Sequence, residues 1–309
     1  STQSGTKYDL HEDLAGKTYI VTGATSGIGQ ATAEELAKRN ARVIMACRNR
    51  EKCVQVRRDI VLNTRNKQVY CRQCDLEDFD SIRTFVQKLS KGKFELDRID
   101  GIDGIEKTIA TNHLGSFLLT GLLLDKLLNQ TNPVRIVFLN SNIIDRKCDL
   151  NLGDFNSEGA KKFDGYEVYK HSKLASALFS KELSERLKES NCNVIVADPG
   201  RTKSNLSAQM DGQTFGMGER RTEKAVRPVL YALRERHAQP WNDIVMDAEK
   251  RAKLWNVSVK WSRLGDHLKQ MKHELGEAAI QISNENEDKL TVETATLGGG
   301  RSWKTLWLW

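Results

Sequence analysis

Apolar residues along this chain fall in short, continuous runs separated by amphipathic stretches. Tyr19-Ile20-Val21, Val43-Ile44-Met45-Ala46, Ile136-Val137-Phe138-Leu139 and Val194-Ile195-Val196-Ala197 have the length and composition of buried strands. Between them apolar positions recur at helical spacing, as in Ala31, Ala33, Leu36 and Ala37. The pattern predicts strands at 17–22, 42–47, 67–74, 95–102, 134–140 and 193–197. It predicts helices near 28–39, 50–63, 78–91, 105–128, 167–189 and 219–235. Strand alternating with helix implies a doubly wound α/β fold, a parallel sheet with helices on both faces. Right-handed crossovers gather the carboxyl ends of the strands at one edge, where a ligand crevice is expected. The expected organisation is a single domain over residues 1–283, followed by a tail of unclear structure over 284–309.

Two of the predicted helices are apolar over more than one stripe. Leu118, Leu119, Leu122, Leu123, Leu127 and Leu128 lie on the first, and Leu174, Leu178, Phe179 and Leu183 on the second. A helix apolar beyond one face is buried further than usual or packs on a partner.

The turn after the first strand carries the first chemistry. In Thr22-Gly23-Ala24-Thr25-Ser26-Gly27-Ile28-Gly29, three glycines lead directly into a helix. Gly23 permits a tight turn, Gly27 lets a pyrophosphate approach the backbone, and Gly29 lets the helix sit close to the sheet. The helix N-terminus offers free N–H groups and a positive dipole end to phosphates. A strand precedes the turn and a second strand follows the helix, the context that a dinucleotide-binding (Rossmann-type) fingerprint requires.

A second constellation lies further along. Tyr169 and Lys173 are four residues apart in Tyr169-Lys170-His171-Ser172-Lys173, one turn apart on one helix face. Ser141 closes the strand Arg135-Ile136-Val137-Phe138-Leu139, and Asn112 opens the apolar helical run Asn112-His113-Leu114-Gly115. Asp198-Pro199-Gly200 closes the last predicted strand. Tyr166 has no lysine four residues on and is set aside. A tyrosine, with a reference pKa of about 10, is a weak base at neutral pH, and a neighbouring ammonium favours its phenolate. A hydroxyl such as that of Ser141 can hold a substrate oxygen near the tyrosine.

Glycine turn, Asn, Ser, Tyr-x-x-x-Lys and Pro-Gly, in this order over residues 14–206, resemble the short-chain dehydrogenase/reductase family. Ala46-Cys47-Arg48, Asn112-His113-Leu114-Gly115 and His171-Ser172-Lys173-Leu174-Ala175 are similar to its retinol-dehydrogenase-like branch. The resemblance implies an oxidoreductase that moves a hydride between a nicotinamide and an apolar alcohol or carbonyl, a retinoid or steroid by analogy with the branch. It implies Tyr169 as acid/base, Lys173 lowering the tyrosine pKa, Ser141 orienting the substrate oxygen, and Asn112 supporting a water that links the lysine to solvent. For the cofactor it implies Gly23, Thr25, Ser26, Gly27, Ile28, Gly29, Asp75 at the adenine, Tyr169, Lys173, Pro199, Gly200, Thr202 and Ser204. It also implies homodimerisation through the helices near 105–128 and 167–189. The position where an NAD enzyme places an acid is Cys47, and Arg48 follows with Arg50 close by, which points to NADP(H).

Three departures from the family pattern matter. An Asn-Asn-Ala-Gly motif with its loop should follow Arg98-Ile99-Asp100-Gly101-Ile102, but Asp103-Gly104 leads straight into the next helix. The segment between Leu206 and Thr222 lacks an apolar lid helix, and no glycine-flanked strand follows Ala232-Leu233. Two readings stay open: deletions that impair activity, or segments of the protein that this chain does not include. The same departures motivate an alternative function, a non-catalytic member of the fold acting as a binding or structural subunit.

Net charge is +7, but basic residues alternate with acids on helix faces, so no nucleic-acid partner is expected. No run of 18 apolar residues is present and residues 1–16 are polar, so neither a membrane span nor a secretory signal is expected. Cytoplasmic placement follows, with peripheral membrane association left open by the tryptophan-rich end Trp303-Lys304-Thr305-Leu306-Trp307-Leu308-Trp309. A disordered tail is the other reading of that end. No metal site is expected. Cys71 and Cys74 lie three apart in a predicted strand and so face opposite sides, and they read as structural thiols in a reducing compartment.

Overall fold

The computed structural model describes residues 12–89, 105–141, 143–144, 148–159, 163–200, 202, 221–232, 247–268 and 303–308. The first half alternates as the apolar pattern requires: β1 Thr18–Thr22, α1 Gly27–Lys38, β2 Arg42–Cys47, α2 Arg50–Thr64, β3 Val69–Gln73 and α3 Phe79–Leu89. A short α4 (Lys107–Ile109) runs through a π turn (Ala110–Leu114) into α5 (Gly115–Leu128). Then come β4 Val134–Leu139, α6 Gly165–Arg186, β5 Cys192–Ala197, α7 Thr222–Ala232, α8 Ala248–Ser262 and β6 Trp303–Leu308. Capping side chains start several helices. Asn49 Oδ1 accepts from Lys52 N at α2, and Asp164 Oδ1 accepts from Tyr166 N at α6.

The strands form one parallel sheet in the order β3-β2-β1-β6-β4-β5. Because a parallel sheet is covered on both faces, its strands are apolar on both. Ile20, Ile44, Ile136 and Phe138 face a core shared with α3, α5, α6 and α8. Tyr19, Val21, Val43, Met45 and Val137 face the other core, shared with α1, α2 and α7. Close approach is paid for in side-chain volume at Gly115, where an added Cβ would stand 2.1 Å from the Leu76 carbonyl oxygen.

The structure bears on the sequence expectations at three places. The strand expected at 95–102 lies outside the described residues. Between β1 and β4 the sheet holds β6, from the far part of the chain, paired with β1 (Ile20 opposite Leu306) and with β4 (Ile136 opposite Leu306). The tryptophan-rich end is therefore a sheet strand rather than a disordered tail or surface anchor; a short apolar run without helical period carries no label for which sheet slot it fills. Second, Cys71 is disulfide-bonded to Cys53 of α2 and is not a free structural thiol. Cys74 faces the opposite core, as the strand alternation implied, and remains a free buried thiol.

Third, the extra apolar stripe on α5 and α6 is covered within the chain by α8. Trp255 lies 5.1 Å from the Phe117 ring and 5.9 Å from Phe179. Around it, Arg251 Nε pairs with Glu182 Oε2 at 3.2 Å, Glu182 Oε1 with Arg186 Nη2 at 2.8 Å, and the Arg186 guanidinium sits 4.3 Å over the Trp255 ring. α8 thus supplies part of the burial that the apolar width of these helices requires.

Removing residues 303–309 should leave β1 and β4 with facing, unpaired edges. The expected loss is at the top of the range for structural changes, about 5 kcal/mol or more, and with it the cooperative thermal transition followed by circular dichroism. A truncated chain that melts as cooperatively as the full one would show that the sheet does not need β6.

Candidate active site

The carboxyl ends of the strands gather the expected residues at one edge of the sheet. After β1, Gly23 and Gly27 take positive φ angles of 59° and 54°, which a residue with a Cβ adopts only with strain. A Cβ at Gly27 would meet nothing within 4 Å, so the loop faces open space. Ser26 precedes the first turn of α1 and makes no side-chain cap. The opening N–H groups of a helix have no intrahelical partner. This loop, with Thr25, Ser26, Ile28 and Gly29 beside it, is a cradle that fits a phosphate-bearing ligand at a helix N-terminus.

At the end of β2, Cys47 is buried, and Arg48 after it is largely exposed, its Nη1 2.8 Å from Glu77 Oε1. Lys107 reaches the same carboxylate at 3.3 Å. After β3, Asp75 Oδ1 accepts from Glu77 N at 3.1 Å, and Asp75 N donates to Ser81 Oγ at 3.0 Å. These bonds hold the acidic turn beside Arg48. After β5, Gly200 has φ 71°, its N–H donates to Asp198 Oδ1 at 2.8 Å, and Thr202 Oγ1 donates to the Gly200 carbonyl at 3.0 Å. Ser204 lies outside the described residues.

Asn112 sits in the π turn that joins α4 to α5. Such an insertion bulges one residue out of helical register and recurs at functional sites. The turn is pinned from outside by His113, whose Nε2 lies 2.7 Å from Ser258 Oγ of α8. Burial drives the His113 pKa down to about 3, so this ring is neutral. Asn112 Nδ2 donates to Ser172 Oγ at 3.0 Å, and Ser172 Oγ donates to the Tyr169 carbonyl at 2.7 Å. On the other side, Lys173 Nζ donates to the Leu139 carbonyl at 3.3 Å. Asn140 Nδ2 donates to the Lys173 carbonyl at 3.3 Å, while Asn140 Oδ1 accepts from Ser141 N at 2.8 Å. The end of β4 and the Tyr/Lys turn of α6 are therefore tied together through Asn140, and Asn112 is tied to α6 through Ser172.

Asn140 and Ser172 were missed by sequence reasoning. The available signal was position: Asn140 is a polar residue between an apolar strand and Ser141, and Ser172 lies between Tyr169 and Lys173. Neither belongs to the spacing that defined the constellation.

Burial acts on both titrating groups of the pair. Lys173 Nζ lies 5.6 Å from the Tyr169 ring centroid, yet burial, reinforced by Asp198, pushes the Tyr169 pKa up to about 12. Burial also lowers the Lys173 pKa to about 8. Desolvation disfavours the phenolate of the one and the ammonium of the other. At neutral pH the pair is a protonated phenol beside an ammonium, an arrangement that can donate a proton.

Known proteins resemble this chain in sequence and in fold. A family model described as short chain dehydrogenase matches residues 17–150. Retinol dehydrogenase 13 of Mus musculus is 35% identical over 289 residues, covering 80% of this chain and 84% of the mouse protein. The Homo sapiens protein of that name is 40% identical over 219 residues; there the match covers 65% of this chain and 64%, just under two thirds, of the human protein. Among solved structures, an uncharacterized protein from Mycobacterium Paratuberculosis is 30% identical with a TM-score of 0.67, covering 84% of this chain and 98% of its own. A short-chain dehydrogenase from Sphingobium yanoikuyae, solved in complex with NADPH, shares the fold at 16% identity and a TM-score of 0.56, covering 85% of this chain and 97% of its own. The chain belongs to the short-chain dehydrogenase/reductase family of oxidoreductases. Within that family it is retinol-dehydrogenase-like.

The two shifted pKa values oppose each other. Unfolded Lys173 keeps its proton up to its ordinary 10.5 while the folded protein releases it near 8, so the unfolded chain binds more protons and stability rises with pH between those values. Tyr169 works the other way between 10 and about 12, where the folded protein keeps the proton longer and stability falls. Relative to Lys173→Met, the wild-type chain should gain roughly 2 kcal/mol of unfolding free energy between about pH 7.5 and 9.5. Urea titrations at the two pH values check this; parallel curves for the two proteins would place the lysine in water.

Proposed function

We propose that this chain is an NADP(H)-dependent oxidoreductase acting on an apolar alcohol or carbonyl compound, with Tyr169 as the acid/base. The observation that carries this reading is the convergence of Tyr169, Lys173, Ser141 and Asn112 through the Asn140 and Ser172 bonds, beside a glycine cradle on the same sheet edge. When bound, the nicotinamide supplies or accepts the hydride. Gly23, Thr25, Ser26, Gly27, Ile28 and Gly29 would hold the pyrophosphate, Asp75 the adenine, and Pro199, Gly200 and Thr202 the nicotinamide side.

In the reducing direction the Tyr169 hydroxyl gives its proton to the substrate oxygen as negative charge develops there. In the oxidising direction it takes that proton back. Its raised pKa suits the donor role in the resting protein. The base role requires positive charge nearby, which the Lys173 ammonium provides below a pH of about 8. Ser141 orients the substrate oxygen by hydrogen bonding. Its backbone N–H is held by Asn140, which fixes where the hydroxyl starts from.

Arg48 supports the preference for the phosphorylated cofactor. No acid stands at Cys47 to receive ribose hydroxyls, and the exposed Arg48–Glu77 pair is of a kind worth about 0–1 kcal/mol, so a 2′-phosphate can take the guanidinium over. The Sphingobium yanoikuyae neighbour bound to NADPH is consistent with this at the level of the fold.

Tyr169→Phe should lower turnover of a ketone and aldehyde panel by a factor on the order of 10³ while changing NADPH affinity little. Wild-type rates in this variant would remove Tyr169 from the chemistry. NADPH binding without turnover in the wild-type chain would favour the non-catalytic subunit. Separately, NADPH should bind more tightly than NADH by about tenfold or more, and Arg48→Ala should erase most of that difference. Calorimetric titration of both cofactors tests the preference, and equal affinities in the wild-type chain would overturn it.

A further inference from the structure

Four of the chain's cysteines cluster around the end of β2 and the edge strand β3, and three of their sulfurs, those of Cys47, Cys53 and Cys71, touch in succession. Cys53, in the first turns of α2, is fully buried and bonded to Cys71. The Cys47 thiol donates to the Cys53 sulfur at 3.0 Å, and Cys53 lies 3.9 Å from the Met45 carbonyl oxygen. Met45 stands opposite Cys71 in the β2–β3 register, so Cys47, two residues on, shares the face that carries Cys71. The chain is thus stitched from the sheet edge, through α2, to the last residue of β2. That residue begins the turn Cys47-Arg48-Asn49, which carries the Arg48 guanidinium that the proposed function gives to a 2′-phosphate.

The sulfurs differ in access. Cys47 and Cys53 are shut off from solvent, whereas Cys71 is half-buried on β3, the edge of the sheet. Its surroundings are basic. Arg57 of α2, which packs on the face of the sheet that carries Cys71, donates from Nε to the Val69 carbonyl at 2.6 Å, so one guanidinium is anchored on the backbone of this strand on the side of the sulfur, while Arg72 lies over Tyr70 on the other face. Positive charge beside a partly exposed sulfur attracts an anionic thiol and favours the thiolates that exchange requires. Burial pushes Cys47 up to about 12, which leaves it a protonated neighbour rather than a competing nucleophile.

We propose that Cys53 and Cys71 form a thiol–disulfide exchange site for anionic low-molecular-weight thiols of the glutathione type, and that its oxidation state sets how tightly the Cys47-Arg48-Asn49 turn holds a 2′-phosphate. The coupling rests on the dinucleotide reading above; the exchange site does not. An external thiolate attacks the Cys71 sulfur, a mixed disulfide forms there, the Cys53–Cys71 bond breaks, and Cys53 leaves as a thiolate that takes up a proton. A second external thiolate attacks the outer sulfur of the mixed disulfide, releasing the Cys71 thiolate and the small-molecule disulfide. Overall, one protein disulfide and two thiols become a protein dithiol and one oxidised small-molecule disulfide; the reverse uses that disulfide as oxidant. Breaking the bond moves the two sulfurs from bonding distance to van der Waals contact. Cys53 has Cys47 and the Met45 carbonyl directly against it, so the separation is taken up by the end of β2 and by α2, whose cap is Asn49.

The test equilibrates the full chain in graded ratios of reduced to oxidised glutathione. One aliquot is quenched with an alkylating agent for peptide mass mapping, and a second is titrated with NADPH. The expected result is one two-electron transition confined to Cys53 and Cys71. NADPH affinity should weaken on the order of fivefold across the same ratios. Cys71→Ser, with Cys71→Ala as a second variant, should bind NADPH with the weaker affinity at every ratio. Full alkylation of Cys71 at all ratios overturns the exchange site. A clean transition with unchanged NADPH affinity overturns the coupling. A clean transition with no NADPH binding in either state overturns the dinucleotide reading and the coupling together, while the mass map still establishes the exchange site.

Discussion

A parallel sheet has no face that tolerates water, so each of its strands must be apolar on both sides and each crossover must bring a covering helix. In this chain the condition is met by two separate cores, one under α3, α5, α6 and α8 and one under α1, α2 and α7. Meeting it also fixes the location of the chemistry. Because all the strands run the same way, the turns after β1, β2, β3, β4 and β5 open at one edge. The glycine cradle, Arg48, Asp75, Ser141 and Gly200 are neighbours for that reason, although they span most of the chain.

At that edge, polar side chains are used to lock backbone rather than to fill space. Asn140 bonds both the Ser141 amide and the Lys173 carbonyl, and Ser172 relays Asn112 to the Tyr169 carbonyl. A buried polar group is costly unless partnered, so such bonds narrow the arrangements available to the reacting residues. Burial then acts oppositely on the two titrating members. It penalises the phenolate of Tyr169 and the ammonium of Lys173 alike, which raises one pKa and lowers the other. α8 supports the site from behind. Its Ser258 holds His113 in the π turn, and its Trp255 closes the aromatic group formed by Phe117 and Phe179.

The local elements were legible because each has a strong period or a strong punctuation. β1, β2 and β4 are continuous apolar runs, α1 begins where Gly27 and Gly29 demand it, and the Tyr169/Lys173 spacing needs only a helix to bring both onto one face. Asn112 and Ser141 could be placed from their positions at the start of an apolar helix and the end of an apolar strand. The partners between those residues were not legible. A hydrogen bond from Asn112 to Ser172 joins positions 60 apart in sequence, and no local period encodes it.

Alternation, helix starts and the dinucleotide turn are local properties, set by side-chain period and by the backbone freedom of glycine, and the amino-acid order determines them by itself. Three matters depended on which distant segments meet. A strand from the chain's end, Trp303–Leu308, fills the slot between β1 and β4, because backbone pairing is indifferent to sequence distance. α8 covers the wide apolar faces of α5 and α6, which the sequence alone left to a partner or to deeper burial. Cys71 bonds Cys53 rather than standing free, because α2 packs on the same face of the sheet and brings the two sulfurs together across 18 residues.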